Sequence, residues 1–264
     1  MSTIKLLDGT DWAIEELLKH MLDDDFYYGY LGTAALSSSS IKKINDSPRE
    51  YARYLKYGES GDVTALVAGN LIHTLLLEPH LEDNFTPIEC ASKSTNIWKN
   101  AVSEYEGTGK KLLLRKDYDN CHYVVKALLK NKTVQEALAD ADYEIPEIGL
   151  IQGIPFRAKA DIKKKGQQCI FDLKTTSNID DFYFSAKKYG YAAQAYIYCT
   201  LFDVPFENFK FIVVDKMKKD IGVFSVSESF FSLGQRLVEK GVSDYIKFFI
   251  NNEDLEQYVV YGEL

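Results

Sequence analysis

The sequence predicts an α/β protein with a mixed β-sheet core flanked by helices and a mainly helical N-terminal half. Two observations carry this. Up to about residue 140, apolar residues recur at helical spacing between helix start and stop signals. Beyond it come short runs rich in Ile, Phe and alternating polar residues, joined by Gln152-Gly153 and Lys165-Gly166, both hairpin-type turns. The chain has 264 residues, 46% of them apolar, with 16 Gly and 6 Pro. It contains no internal repeat and no Pro/Gly/Ser-rich linker, so one domain over 1–264 is expected, with a helical part at 1–140 and a sheet core at 141–264. A chain of this size buries roughly three-quarters of its unfolded surface and needs no disulfide or structural metal for stability.

The elements follow in order. Asp11–Leu22 has helical periodicity, the serines ahead of Ile41 give a helix start, and Ser47-Pro48 opens the next helix. Asp62–Leu77 reads as a helix closed by Pro79, and Lys116–Lys130 and Thr133–Asp140 continue the pattern. Glu147–Ile151, Ile154–Lys163 and Gln168–Thr175 read as three antiparallel strands. A helix over about Asp180–Leu201, strands at Phe209–Asp215 and Ile221–Val226, and a closing helix at Ser229–Ile250 complete the core.

Composition excludes several classes. Ala65–Leu77, interrupted by Gly69, Asn70 and His73, falls short of the roughly 20 apolar residues of a membrane span. Asp8, Asp11, Glu15 and Glu16 follow Met1 too soon for an export leader. The cysteines at 90, 121, 169 and 199 contain no Cys-x-x-Cys pair to hold zinc or an iron–sulfur cluster, and they read as reduced thiols of a cytoplasmic protein. No phosphate-binding Gly-x-x-x-x-Gly-Lys-Ser/Thr loop is present, so no nucleotide cofactor is expected.

The net charge of −8 argues against a protein that coats DNA through one basic face. Its distribution is uneven. Acidic residues load both ends, at Asp8–Asp25 and from Glu253 to Glu263, whereas Lys110–Lys132 carries seven basic residues against two acidic ones, a local +5. Arg157, Lys159 and Lys163–Lys165 add to the basic middle. Lys110, Arg115, Arg157 and Lys159 are therefore candidate contacts to a phosphate backbone, with solvated helix and turn faces as the alternative.

The sharpest chemical signal is Ile170-Phe171-Asp172-Leu173-Lys174-Thr175-Thr176. On a strand, Asp172 and Lys174 share one face while Phe171 and Leu173 take the other. The turn at Lys163–Gly166 can fold the preceding strand back so that Asp161 approaches Asp172. Two carboxylates and a lysine then converge, a set suited to Mg²⁺ or Mn²⁺ and to phosphodiester hydrolysis. His73 lies in an apolar helix, where burial demands a partner. Gln194 and Tyr198, four residues apart, share a helix face.

Taken together these segments resemble the PD-(D/E)XK nuclease superfamily, in particular its RecB-like branch and the exonuclease VIII (RecE-type) recombination exonucleases of phages and prophages. The resemblance runs in order along most of the chain. It begins with Leu36-Ser37 through Ser47-Pro48 and Tyr51, and continues with Gly69…His73 followed by Leu77-Glu78-Pro79 and with Thr108-Gly109-Lys110. It closes with Asp161, Asp172-x-Lys174-Thr175-Thr176 and Gln194-x-x-x-Tyr198. One departure is plain: Ala160, not proline, precedes Asp161.

The resemblance implies a restriction-endonuclease-like fold in which His73, Asp161, Asp172 and the Leu173 backbone carbonyl hold the metal. Lys174 is then the catalytic lysine, and Gln194 and Tyr198 support the site. The family's glutamate before the first core strand is better matched by Glu147 than by Glu144, with both open. The implied activity is Mg²⁺-dependent 5′-to-3′ exonucleolytic hydrolysis of linear double-stranded DNA. It leaves 3′ single-stranded tails for an annealing protein and is carried out by a ring-shaped homo-oligomer, a trimer or tetramer. Two other readings compete. One is a RecB-like nuclease of another kind, which the cysteine spacing opposes. The other is a silent DNA-binding module of the same fold, which the retention of Asp161, Asp172 and Lys174 opposes.

Overall fold

Hairpin chemistry organises the sheet. The computed structural model describes residues 2–58 and 64–260. β5 (Ala141–Ile151) and β6 (Ile154–Lys164) form a long antiparallel hairpin about Gln152-Gly153, both of which take positive φ. β7 (Ile170–Thr176) returns antiparallel to β6. β8 (Phe209–Asp215) lies parallel to β7, and β9 (Ile221–Ser225) closes the sheet antiparallel to β8, giving the order β5-β6-β7-β8-β9. The parallel β7–β8 step requires a crossover, supplied by α9 (Phe182–Lys188) and α10 (Tyr191–Phe202). The expected α/β core with a mixed sheet and three antiparallel strands is what forms.

Helices cover both faces. On one, α10, α3 (Ser38–Asp46) and α11 (Glu228–Tyr245) bury Ile41, Phe156, Ile197, Phe209 and Val238 together. On the other, α5 (Thr64–Leu77) and α7 (Arg115–Lys130) bury Leu71, Ile72, Val124, Leu173 and Ile212. Gly234 sets the α10–α11 distance: a Cβ there would lie 2.0 Å from the Ala192 carbonyl oxygen. Ser37 caps α3, and Ser47-Pro48 opens α4 (Pro48–Tyr57), as expected. Between α5 and β5 the chain adds a two-stranded parallel ladder of β3 (Phe85–Ile88) and β4 (Lys111–Leu114), with α6 (Asn96–Glu104) between them and α8 (Lys132–Leu138) after α7. Neither short strand nor α6 was expected from the periodicity.

Several boundaries differ for identifiable reasons. Asp11–Ala13 is a strand, β2, paired with β1 (Thr3–Lys5), and only Ile14–His20 is helical, as α1. Asp8 accepts from the Thr10 backbone N–H at 3.0 Å and Gly9 has φ +86°, so the chain reverses before a helix can begin. The single helix expected at 180–201 breaks at Gly190, whose φ of +74° starts α10 as a separate element. The start expected at Asp62 lies outside the described residues. A π-helical turn at Asp25–Tyr30 leads into α2 (Leu31–Ala34). The Leu36 N–H then donates to Pro155 O at 2.9 Å and Leu36 O accepts from Arg157 N at 2.8 Å, so one residue of the N-terminal layer adds to the side of β6 that β7 does not reach. Among the described residues, no helix is long and apolar enough to cross a membrane.

Candidate active site

The site begins where a ladder fails. β6 and β7 pair only at Ile162↔Phe171 and Lys163↔Ile170, next to their connecting turn, and then splay apart. The backbone N–H of Leu173, which a continued ladder would have engaged, donates instead to Asp161 Oδ2 at 2.6 Å. A side chain thus replaces a strand partner and holds Asp161 in the gap. Strand alternation breaks at the same place. Phe156, Ala158 and Ala160 belong to the layer under α10, whereas the next even-numbered residue, Ile162, belongs to the layer under α5. Opposite this switch the hairpin register places Glu144, with φ +51°. A left-handed non-glycine residue inside a strand is strained and is found mainly at functional sites.

α5 lies against the Leu173 face and carries His73 to the gap, with Nδ1 3.6 Å from Asp161 Oδ2. His73, Glu144 and Asp161 each offer one ligand atom within 4.8 Å of the others. On the other face of β7, Asp172 is only 1% exposed. Its Oδ1 lies 2.5 Å from Lys174 Nζ, and its Oδ2 accepts from Gln194 Nε2 of α10 at 2.6 Å. Tyr198, one turn further along α10, meets the Gln194 side chain. Lys174 Nζ also sits over the Tyr191 ring, 4.7 Å from its centroid.

Electrostatics follow from crowding. Burial pushes the Asp161 and Asp172 carboxyls up to about 6 against the pull of Lys174. Burial and then repulsion from Asp161 raise Glu144 to about 9. Burial followed by the Lys174 ammonium holds the His73 imidazole well below its ordinary value, so it is a neutral donor at pH 7. Lys174 is drawn down by burial, but the Asp172 and Asp161 carboxylates outweigh this and raise it.

The donor set fits a divalent cation. It combines two carboxylates with one neutral imidazole, and a third carboxylate, Asp172, lies close by with its Oδ1 2.5 Å from Lys174 Nζ. Carboxylate oxygens of this kind suit Mg²⁺ or Mn²⁺.

Of the expected site residues, His73, Asp161, Asp172, Leu173, Lys174, Gln194 and Tyr198 are brought together. The compact cation-sized cluster differs from the expected ligand set, because Glu144 takes the place beside His73 and Asp161 while both Asp172 oxygens face Lys174 and Gln194. The preference for Glu147 moves to Glu144. Glu147 pairs with Ala158 in the register, three residues from the gap, and its Oε1 accepts from the next backbone amide, Ile148 N, at 3.0 Å.

The basic candidates do not form one surface. Lys110 is bonded to the Asp83 carbonyl, and Arg115 Nε lies 2.6 Å from Glu89 Oε1. Arg157 and Lys159 are each only 7% exposed, so their expected place as open backbone contacts is corrected. Both alternate onto the face of β6 that meets the π-helical turn. There Arg157 Cζ lies 4.5 Å and Lys159 Nζ 4.6 Å from the Tyr27 ring centroid, and Lys159 bonds Asp24 at 2.6 Å. The Lys159 charge also draws the Glu144 carboxyl downward.

A five-stranded mixed sheet whose neighbouring strands splay around an Asp and an Asp-x-Lys, with a helical histidine and a strand glutamate at the gap, defines the PD-(D/E)XK class. The chain belongs to the family described as a PDDEXK-like domain of unknown function, DUF3799, whose model matches residues 37–255. Its fold is similar to that of a crystallised protein from Eubacterium rectale, assigned provisionally as an exonuclease. The two are 14% identical, 92% of this chain and 95% of that one are covered, and the TM-score is 0.66. A phage-related exonuclease from Haemophilus somnus 129PT shares 17% identity over 62% of this chain and 91% of its own, with a TM-score of 0.34. No curated protein sequence matches this chain.

Proposed function

We propose that this protein is a divalent-metal-dependent deoxyribonuclease, specifically a Mg²⁺-dependent 5′-to-3′ exonuclease on linear double-stranded DNA. Mn²⁺ would substitute for Mg²⁺. The observation that carries the nuclease reading is the meeting of His73, Glu144 and Asp161 beside the Asp172–Lys174 pair. The polarity, the 3′ tails handed to an annealing protein and the ring-shaped homo-oligomer are supported by the ordered motifs from Ser37 to Tyr198. The acidic ends flanking a basic middle add to that support.

His73, Glu144 and Asp161 would hold the cation, with Asp172 beside them. When bound there, the cation supplies charge to the scissile phosphate and acidifies water. The chain's own groups do the positioning. The Leu173 amide fixes Asp161, and Gln194 fixes Asp172 through one oxygen, leaving the other for Lys174. Lys174 Nζ, held between Asp172 and the Tyr191 ring, is placed to orient the attacking water and offset charge on the phosphorane oxygens. Desolvation of the site strengthens each of these interactions.

The test is label release from linear duplex marked at the 5′ or the 3′ end, with and without Mg²⁺, beside covalently closed circular DNA. Mg²⁺-dependent release of the 5′ label first, with circles surviving, is expected. Release of the 3′ label first refutes the polarity, and rapid cutting of circles points to an endonuclease. Absence of hydrolysis with Mg²⁺ or Mn²⁺ refutes the enzyme.

A further inference from the structure

On the α10 side of the sheet, a cleft of about 340 Å³ opens between α9, β8, β9 and α11. Its floor is aromatic. Phe182 packs against Phe224 with centroids 4.8 Å apart and against Phe211 at 6.1 Å, and the exposed Tyr183 forms an edge. Its rim is cationic, with Lys187 on α9 and Arg236 on α11 and no carboxylate among the described lining residues. Lys187 Nζ sits 4.4 Å from the Tyr183 ring centroid, so the cation and the ring edge lie side by side at the rim.

The cleft is joined to the chemistry by rings in contact. Phe211 pairs in register with Asp172, and its ring stacks on Tyr191 at 5.7 Å and 30°. The same Tyr191 ring lies under Lys174 Nζ. Phe182 also reaches Tyr191, at 6.0 Å. One layer of aromatic side chains therefore separates the cleft from the lysine of the active site.

We propose that this cleft is a nucleotide slot that takes an unpaired deoxynucleotide at the end of a DNA duplex. The inference rests on the nuclease reading above. The half-buried Phe224 and Phe230 and the exposed Tyr183 offer ring faces that can stack on any base, cations at the rim meet its phosphate, and a pocket at the small end of the ligand-site range is the size for one such unit. A slot there gives the protein a preference for ends that carry a single-stranded tail.

The experiment measures binding of fluorescent duplexes to the metal-free protein, so that no strand is cut. A blunt duplex is compared with duplexes bearing a single-stranded tail on either strand. The wild-type protein is expected to prefer a tailed duplex by at least about fivefold, the value of one stacked base. Ser225→Trp fills the cleft from the exposed end of β9, and Lys187→Ala with Arg236→Ala strips its rim. Each is expected to bring the preference to near unity while leaving blunt-duplex affinity within about twofold of the wild type. A deoxynucleoside monophosphate should compete for the tailed duplex where inorganic phosphate does not. An undiminished preference in both variants, equal weakening of blunt and tailed duplexes, or equal competition by phosphate overturns the slot. The two readings fail separately. Hydrolysis by a wild-type protein that shows no tail preference sinks the slot alone, and tail binding lost in the variants without hydrolysis by the wild type sinks the enzyme alone.

Discussion

Replacing Glu144 by glutamine should stabilise the metal-free protein and destroy its response to metal. Glu144 faces Asp161 across the hairpin, and in metal-free protein its carboxyl is raised from 4.5 to about 9, by burial first and then by Asp161. The raised value makes this a penalty: it is absent below the unfolded value near 4.5, grows as pH rises and levels off above about 9. At pH 7 the penalty spans about 2.5 pH units at about 1.4 kcal/mol each, an upper bound of about 3.5 kcal/mol. Partial solvent access reduces this to about 1–2 kcal/mol. Glutamine is neutral at every pH, so in EDTA Glu144→Gln should melt about 2–8 °C above the wild type at pH 7. The gap should close toward pH 4.5 and widen toward pH 9. Added Mg²⁺ or Mn²⁺ should reverse the order, because the wild type gains about 3 kcal/mol at a hundredfold excess over Kd and the variant gains little. Thermal unfolding followed by circular dichroism, with EDTA or metal across that pH range, measures both effects. A variant less stable than the wild type in EDTA at pH 7, or one that keeps the metal-induced rise, would refute the clustering of Glu144 with Asp161.

Three further outcomes are expected. Lys174→Ala should slow hydrolysis of linear duplex at least about a hundredfold while duplex binding persists; wild-type rates would take Lys174 out of the mechanism. Gln194→Ala leaves Asp172 Oδ2 buried without its donor, costing about 1–3 kcal/mol in denaturant unfolding, and an unchanged midpoint would show that water replaces the amide. Gly234→Ala forces a methyl group to within 2.0 Å of the Ala192 carbonyl and should cost at least about 1–3 kcal/mol by pushing α10 from α11. Unaltered stability there would mean that the helices separate at no cost.

Much of the site was legible because its residues sit at fixed offsets on a strand or helix. Asp172 and Lys174 share a strand face at a spacing of two, and Gln194 and Tyr198 share a helix face at four. Glu144 was legible in principle too. Pairing Ile151 with Ile154 across Gln152-Gly153 and counting outward sets Glu144 opposite Asp161 and Glu147 opposite Ala158. The first strand, read as starting at Glu147, begins at Ala141 because Glu144 continues it through a left-handed backbone that no propensity favours. The buried state of Arg157 and Lys159 was not legible. It depends on the Asp25–Tyr30 π-helical turn laying Tyr27 across β6, a contact between residues more than a hundred positions apart. The strand at Asp11–Ala13 shows the same limit, since a three-residue strand carries no period of its own and exists through its partner.

The Leu36 bridge to Pro155 and Arg157 also bears on solubility. Where β7 departs, one flank of β6 would present bare amides and carbonyls, the kind of exposed border through which separate molecules zip together. Leu36 caps that border one position before residue 37, where the family match starts. A chain trimmed to residue 37 would lose this cap along with the whole N-terminal layer, and self-association should follow even with His73, Glu144, Asp161, Asp172 and Lys174 in place.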